Sequence, residues 1–190
     1  MKKIIVFASG SGTNAESIIR HFSAQQIAQV VAVFTNNSQA GVIAKAQHLQ
    51  VPVEVFTKPE FEAGTVLEAV GKYQPDLLVL AGFLWKITAP FLTAYPNKII
   101  NIHPALLPKY GGKGMYGMLV HQAVLDQKET ETGISIHLVN EHYDEGALLF
   151  QQSVSIVDCK TAEEVAHKVH DLEYAHYAQV IESYLIAPHN

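Results

Sequence analysis

Asn101 and His103 stand two residues apart in the run Asn101-Ile102-His103-Pro104-Ala105-Leu106-Leu107-Pro108, directly after Ile99-Ile100. On a strand, residues i and i+2 share a face, about 7 Å apart. Proline after His103 biases that histidine to extended backbone. The pair therefore belongs at the carboxyl end of a strand with both side chains aimed one way. An asparagine amide supplies an N–H for a developing oxyanion. An imidazole titrates near neutrality, so it can give a proton or steady negative charge. The third group such chemistry needs is a carboxylate to set the histidine's state or accept a proton. Asp144 is the candidate, in the loop Asn140 to Gly146, where Gly146 allows a sharp turn. A strand edge with an incidental histidine and a hairpin acid are the plain alternatives.

No serine or cysteine stands in a nucleophile elbow. The single cysteine, Cys159, precedes the last predicted helix and suits packing better than catalysis. It leaves no disulfide pairing within the chain and no multi-cysteine zinc site. Direct transfer to an external nucleophile is the expected chemistry. Ten histidines invite a metal, and His167, His170 and His176 share one predicted helix. The helix lacks an i,i+4 histidine pair of the H-E-x-x-H kind, so no metal is expected. Glu173, one turn from His170 or His176, can face the site instead.

Ser9-Gly10-Ser11-Gly12-Thr13-Asn14-Ala15 satisfies G-x-G-x-x-A between a predicted strand and helix. A dinucleotide site also wants an acid at the end of the second strand. That strand ends Phe34-Thr35-Asn36-Asn37, so a nicotinamide oxidoreductase is disfavoured. A phosphate monoester fits better. Glycines admit a close backbone approach, a helix start offers oriented N–H donors, and Thr13 and Asn14 add side-chain donors. Gly12, Thr13 and Asn14 are the phosphate candidates; a tight turn with an N-cap is the plainer account.

The elements that must position these residues follow from the hydrophobic pattern. Strands are predicted at 3–8, 29–35, 52–56, 77–81 and 98–103, alternating with helices at 15–24, 39–49, 59–73 and 88–94. This rhythm predicts an α/β fold, a Rossmann-like and mostly parallel sheet with helices on both faces. Beyond a helix at 115–127, runs 133–139 and 147–156 alternate as strands and predict an antiparallel addition in the C-terminal half. A helix over 161–186 closes the chain, with Thr161 and Glu164 as a capping box. Residues 1–190 are expected to form one domain, with a phosphate-binding half at about 1–100 and a catalytic half at about 101–190. The chain has 48% hydrophobic and 16% charged residues and a net charge of −5, which fits a compact globular protein and gives no broad cationic surface for nucleic acid. The first apolar run ends at Ala8, too short for a signal peptide or membrane span, so a cytoplasmic protein without a membrane partner is expected.

Taken together, the glycine loop, Leu80-Ala81-Gly82-Phe83, Asn101 through Tyr110 and the Asp144 loop resemble the phosphoribosylglycinamide formyltransferase family. The resemblance runs through most of the chain. It implies formyl transfer from 10-formyltetrahydrofolate, as cosubstrate, to the amine of 5′-phosphoribosylglycinamide in purine biosynthesis, without a metal. By position, Asn101 and His103 would polarise the formyl group, and Asp144 would tune His103 and help move the amine's proton. Gly12, Thr13 and Asn14 would hold the phosphate, and Glu173 with its neighbour His170 would bind the ribose. Folate would lie along Leu84, Trp85, Lys86 and Ile87 and the loop Asn140, Glu141, His142 and Tyr143. Leu107-Pro108 would be a candidate cis bond. A monomer or homodimer is implied. Formyltetrahydrofolate hydrolysis, formylation of another amino-sugar nucleotide and a non-catalytic nucleotide-binding module are the competing functions.

Three features depart from the family pattern. Gly111 to Gly117 is longer than expected, either a lid or a surface insertion. Trp85 stands where an arginine is expected, with Lys86 either replacing the charge or facing solvent. No arginine occurs in 57–65 to meet a folate carboxylate.

Overall fold

The computed structural model describes residues 1–188; the last two residues of the expected domain lie outside the described residues. The first half alternates β1 (Lys2–Phe7), α1 (Thr13–Gln25), β2 (Ala28–Thr35), α2 (Val42–His48), β3 (Val53–Val55), α3 (Lys58–Glu62), α4 (Thr65–Tyr73), β4 (Leu77–Leu80), α5 (Ala89–Ala94) and β5 (Ile99–His103). The rest adds α6 (Met118–Asp126), β6 (Glu131–Leu138), β7 (Leu148–Ser155) and α7 (Ala162–Ile186). One sheet runs in the order β3-β2-β1-β4-β5-β6-β7. Its first five strands are parallel. β6 and β7 are antiparallel, as the two alternating runs predict.

Period-2 alternation sorts β1 between two cores. Ile4 and Val6 pack with Ile18, Phe22, Val169 and Tyr177 on the side of α1 and α7. Ile5 and Phe7 pack with Phe34, Phe56, Phe61 and Phe91 on the other side. A strand buried on both faces must be apolar at every position, which is why residues 3–8 read as an unbroken run. Each fully buried large side chain contributes about 1.5–3 kcal/mol of transfer energy.

One predicted helix is split, and those expected at 39–49 and 115–127 start three residues late. The stretch expected as one helix over 59–73 is α3 and α4, because Gly64 adopts φ 89, outside helical space. Thr57 and Glu60 form a capping box at the start of α3, with Pro59 in its first turn. The helix expected from 115 begins at Met118, since Gly112, Gly114 and Gly117 all have positive φ. α7 starts as predicted, Thr161 accepting from the Glu164 N–H.

Strand order reverses between β1 and β4, and open α/β sheets bind ligands outside the carboxyl ends of strands at such a point. Tyr177 of α7, fully buried, donates its hydroxyl toward the carbonyls of Leu80 (2.9 Å) and Ile100 (3.3 Å). This pins the last helix across β4 and β5, one turn from Glu173.

Candidate active site

The cleft at the switch point holds about 550 Å³ and is walled by the glycine loop, the ends of β4 and β5, residues 112–117, the loop after β6 and α7. Asn101 and His103 both face it, as i,i+2 spacing on β5 requires. His103 is only 3% exposed. Its Nε2 lies 2.7 Å from the Tyr110 carbonyl oxygen. A carbonyl only accepts, so Nε2 carries the proton and the neutral ring presents a bare Nδ1. That Nδ1 lies 3.5 Å from Asp144 Oδ2, an ion-pair distance rather than a hydrogen bond. Burial pushes the His103 pKa down, against the opposing pull of the Asp144 charge and the Tyr110 carbonyl. Burial alone would raise the Asp144 carboxyl, but the neighbouring His137, His103 and Gly112 N–H outweigh it and hold the group below its usual range. His103 therefore rests as a neutral base beside a fixed anion.

The Asp144 loop is built differently from expectation. Gly146 does not take a positive φ; Asp144 itself does, at φ 56. A Cβ on Gly146 would lie 1.6 Å from the Leu138 carbonyl oxygen. Glycine is required there for close approach to β6, and the left-handed turn falls to the aspartate, a residue type that tolerates it.

His137 completes the centre and is absent from the sequence-based candidates. It pairs across the sheet with Asn101. Its Nδ1 lies 2.9 Å from the Leu138 carbonyl, which fixes the proton there. Nε2 is then an acceptor for the Asn101 Nδ2 N–H at 3.2 Å. This orients the amide and leaves its second N–H for a ligand. Asp144 Oδ1 lies 3.5 Å from the same Nε2. The signal for His137 was present: residues 133–139 alternate, and an antiparallel strand beside β5 must place some residue opposite Asn101. The register that selects His137 is not readable from the pattern.

Gly12 is the left-handed N-cap of α1 (φ 76), and an added Cβ would meet Val42 at 2.5 Å. Gly12, Thr13 and Asn14 border the cleft with Gly10 and Ser11. Ser9 serves the frame instead: its Oγ accepts the Leu84 N–H at 3.0 Å, tying the end of β1 to the segment after β4. Asn14 Nδ2 donates to Glu173 Oε2 at 2.8 Å, and His170 Nδ1 donates to the same oxygen at 2.9 Å. The Glu173 hydrogen bond holds the His170 imidazolium above its usual pKa, partly opposed by burial. The expected phosphate and ribose residues thus form one joined group at one end of the cleft.

At the other end, Leu84, Trp85, Lys86 and Ile87 face Asn140, His142 and Tyr143. Glu141 stands apart from the cleft, exposed and paired with His142 at 3.4 Å. Trp85 lies against Phe56, Phe61 and Phe83 with ring centroids 5.9–6.2 Å apart, so it caps the second core. Lys86 is exposed at the rim of the cleft. Its Nζ sits 5.1 Å from the Tyr143 ring centroid, a cation–π contact across the cleft mouth. The Gly111–Gly117 segment belongs to the cleft wall, and its Gly112 N–H donates to Asp144 Oδ2 at 2.9 Å. Leu107-Pro108 is cis. Among the described residues, no group of three or more His, Cys, Asp or Glu side chains is placed to hold a metal ion. Among them too, no helix is long and apolar enough to cross a membrane.

The sequence profile described as Formyl transferase matches residues 2–181. The chain is similar to the chloroplastic phosphoribosylglycinamide formyltransferase of Arabidopsis thaliana, with 38% identity over 187 residues, 95% of this chain and 64% of that protein. It therefore spans less than two thirds of that plant relative. It is similar to the phosphoribosylglycinamide formyltransferase of Haemophilus influenzae, with 36% identity over 96% of this chain and 86% of the relative. In structure it is similar to the phosphoribosylglycinamide formyltransferase of Bacillus halodurans, with a TM-score of 0.89, 31% identity and coverage of 100% of this chain and 98% of the other.

Proposed function

We propose, from the premise that this chain belongs to the formyl transferase family, that it transfers the formyl group of 10-formyltetrahydrofolate to the amine of 5′-phosphoribosylglycinamide. The observation that carries this is the single cleft joining three groups: an oxyanion donor and base at Asn101 and His103, an anion-binding helix start at Gly12 to Asn14, and a buried carboxylate at Glu173. A hydrolase needs only the first of these.

The substrate's phosphate sits at the α1 N-terminus, where unpaired N–H groups favour an anion. Glu173 accepts from the ribose hydroxyls, with His170 beside it. Folate lies between Leu84–Ile87 on one side and Asn140, His142 and Tyr143 on the other. The amine attacks the formyl carbon, and the carbonyl electron pair moves to oxygen, met by the free N–H of Asn101. The new ammonium of the tetrahedral intermediate gives a proton to Nδ1 of neutral His103. Asp144 steadies the resulting imidazolium. The bond from the formyl carbon to folate N10 then breaks as N10 takes that proton. Water held beside Asp144 relays either transfer where a reacting nitrogen lies beyond direct reach of His103. The protein works as one domain, as a monomer or homodimer, in the cytoplasm.

The test is folate turnover followed with and without 5′-phosphoribosylglycinamide, with product mass. Turnover that depends on the ribonucleotide and yields its formylated form is the expected result. Turnover without it would make the protein a hydrolase, and none in either case would overturn formyl transfer to this acceptor.

A further inference from the structure

His121 has no part in the chemistry above, yet it is among the most completely enclosed polar side chains of the cleft. It lies in α6, is 2% exposed and borders the same cavity as His103 and Glu173. Its Nδ1 is buried and has no hydrogen-bond partner. A buried polar atom left unpaired costs about 1–3 kcal/mol, so natural structures rarely keep one without a use. The ring lies 6.4 Å, edge to face, from that of His170, which holds Glu173. His121, His170, Glu173 and His103 line the one cleft, so the ring borders both its transfer end and its ribose end. Burial, with the nearby His170, takes its pKa down to about 4, so the ring is neutral at working pH. A neutral imidazole offers an N–H or a lone pair, not a charge, and suits a neutral polar group.

Resting on the formyl-transfer assignment, we infer that His121 Nδ1 hydrogen-bonds the amide linkage of the acceptor substrate. In 5′-phosphoribosylglycinamide the group between the reacting amine and the ribose is a secondary amide, with one N–H and one carbonyl. Either pairs with Nδ1, according to the tautomer. His121 is thereby a specificity-determining contact for an acceptor whose amine hangs from the sugar through an amide. A ligand that fills only the phosphate and ribose positions makes no such bond.

The test compares two ligands by calorimetry, without folate: 5′-phosphoribosylglycinamide and ribose 5-phosphate. His121→Leu is expected to weaken the first by about tenfold, the scale of one neutral hydrogen bond, and to leave the second unchanged. His121→Asn, which places an amide near the Nδ1 position, should recover most of the loss. If His121→Leu does not fold, His121→Gln replaces it, because its amide lies toward Nε2 and vacates Nδ1. Equal weakening of both ligands would mean a structural role and would overturn the inference, as would no weakening of either. Failure of the unsubstituted protein to bind the ribonucleotide would instead overturn the functional assignment on which it rests.

Discussion

Asn14 and Glu173, 159 positions apart in the chain, share a 2.8 Å hydrogen bond that joins the first helix to the last at the floor of the cleft. The amide fixes the carboxylate from one side while His170 fixes it from the other. Asn14→Ala should raise the KM for the ribonucleotide about tenfold or more, the range for hydrogen bonds to charged groups, with the folate KM unchanged. Asn14→Asp should be worse than alanine. It sets a second carboxylate against Glu173 and a negative charge where the substrate phosphate is proposed to bind. An aspartate variant that matched the alanine variant would remove this pairing from substrate binding.

His103 acts as a base only when neutral, so the acid limb of kcat/KM should follow its ionisation, below the usual histidine range because of burial. Asp144 favours the protonated ring. Its removal in Asp144→Asn should move that limb to lower pH while lowering kcat by about a hundredfold, the usual scale for acid–base support. His103→Ala should lose at least about a hundredfold in turnover at every pH. A limb that stayed in place in Asp144→Asn would separate the carboxylate from the histidine's titration.

Substitution of His137 tests whether an oriented amide matters. His137→Leu removes the acceptor that holds the Asn101 N–H, and kcat should fall about tenfold, the worth of one such hydrogen bond. His137→Gln puts a carbonyl oxygen near the Nε2 position and should recover part of it. Equal activity in the leucine and glutamine variants would leave Asn101 self-sufficient.

Two glycines should respond in opposite ways. Gly146→Ala drives a methyl into the Leu138 carbonyl, with the built Cβ at 1.6 Å. Backbone must shift, at a cost of about 1–3 kcal/mol or more, and Tm and kcat should fall together because Asp144 moves with it. Around Gly10 a Cβ meets nothing within 4 Å. Gly10→Ala should keep its Tm and raise only the ribonucleotide KM, since the space it fills faces the phosphate end.

Stability should fall as the solution is acidified, before the carboxylates titrate. His121 is neutral in the folded protein down to a pKa of about 4 but titrates near 6.5 when unfolded. The unfolded chain therefore binds the extra proton between those values, and stability is lost as pH drops through them, by about 3 kcal/mol in full. Buried His103 acts in the same sense. His170, with its raised pKa, acts in the other, its contribution lost as pH rises past the unfolded value. Urea midpoints of the parent and His121→Asn at pH 7 and pH 5 should diverge least at the lower pH. A constant difference would contradict the burial of a neutral ring.

Much of the sheet was legible because its central strands are apolar at every position and the added pair alternates. The Asn101, His103 and Asp144 grouping was legible because two of the three lie on one strand and the third in a loop that had to return beside it. His137 was hidden because cross-strand register depends on where β6 begins pairing, and a polar residue within an alternating run looks like an outward position. His121 gave no signal at all, since its enclosure comes from α6 packing on α7, a tertiary fact. The break at Gly64 was visible in type, yet a glycine inside a helical pattern can be tolerated, as Gly71 is within α4.

Tyr177 ties the last helix to the carbonyls of strands 97 and 77 positions upstream, and this gives the protein a birth order. Ribosomes extrude the glycine loop, both central strands and the Asn101–His103 pair well before the helix that carries Glu173 and Tyr177. Until that helix is made, the chain carries Asn101 and His103 but neither Glu173 nor the α7 side chains that complete the first core. The Asn14–Glu173 pair and the buried Tyr177 anchor both depend on that last helix, so the far end of the cleft and the closure of the first core are completed together.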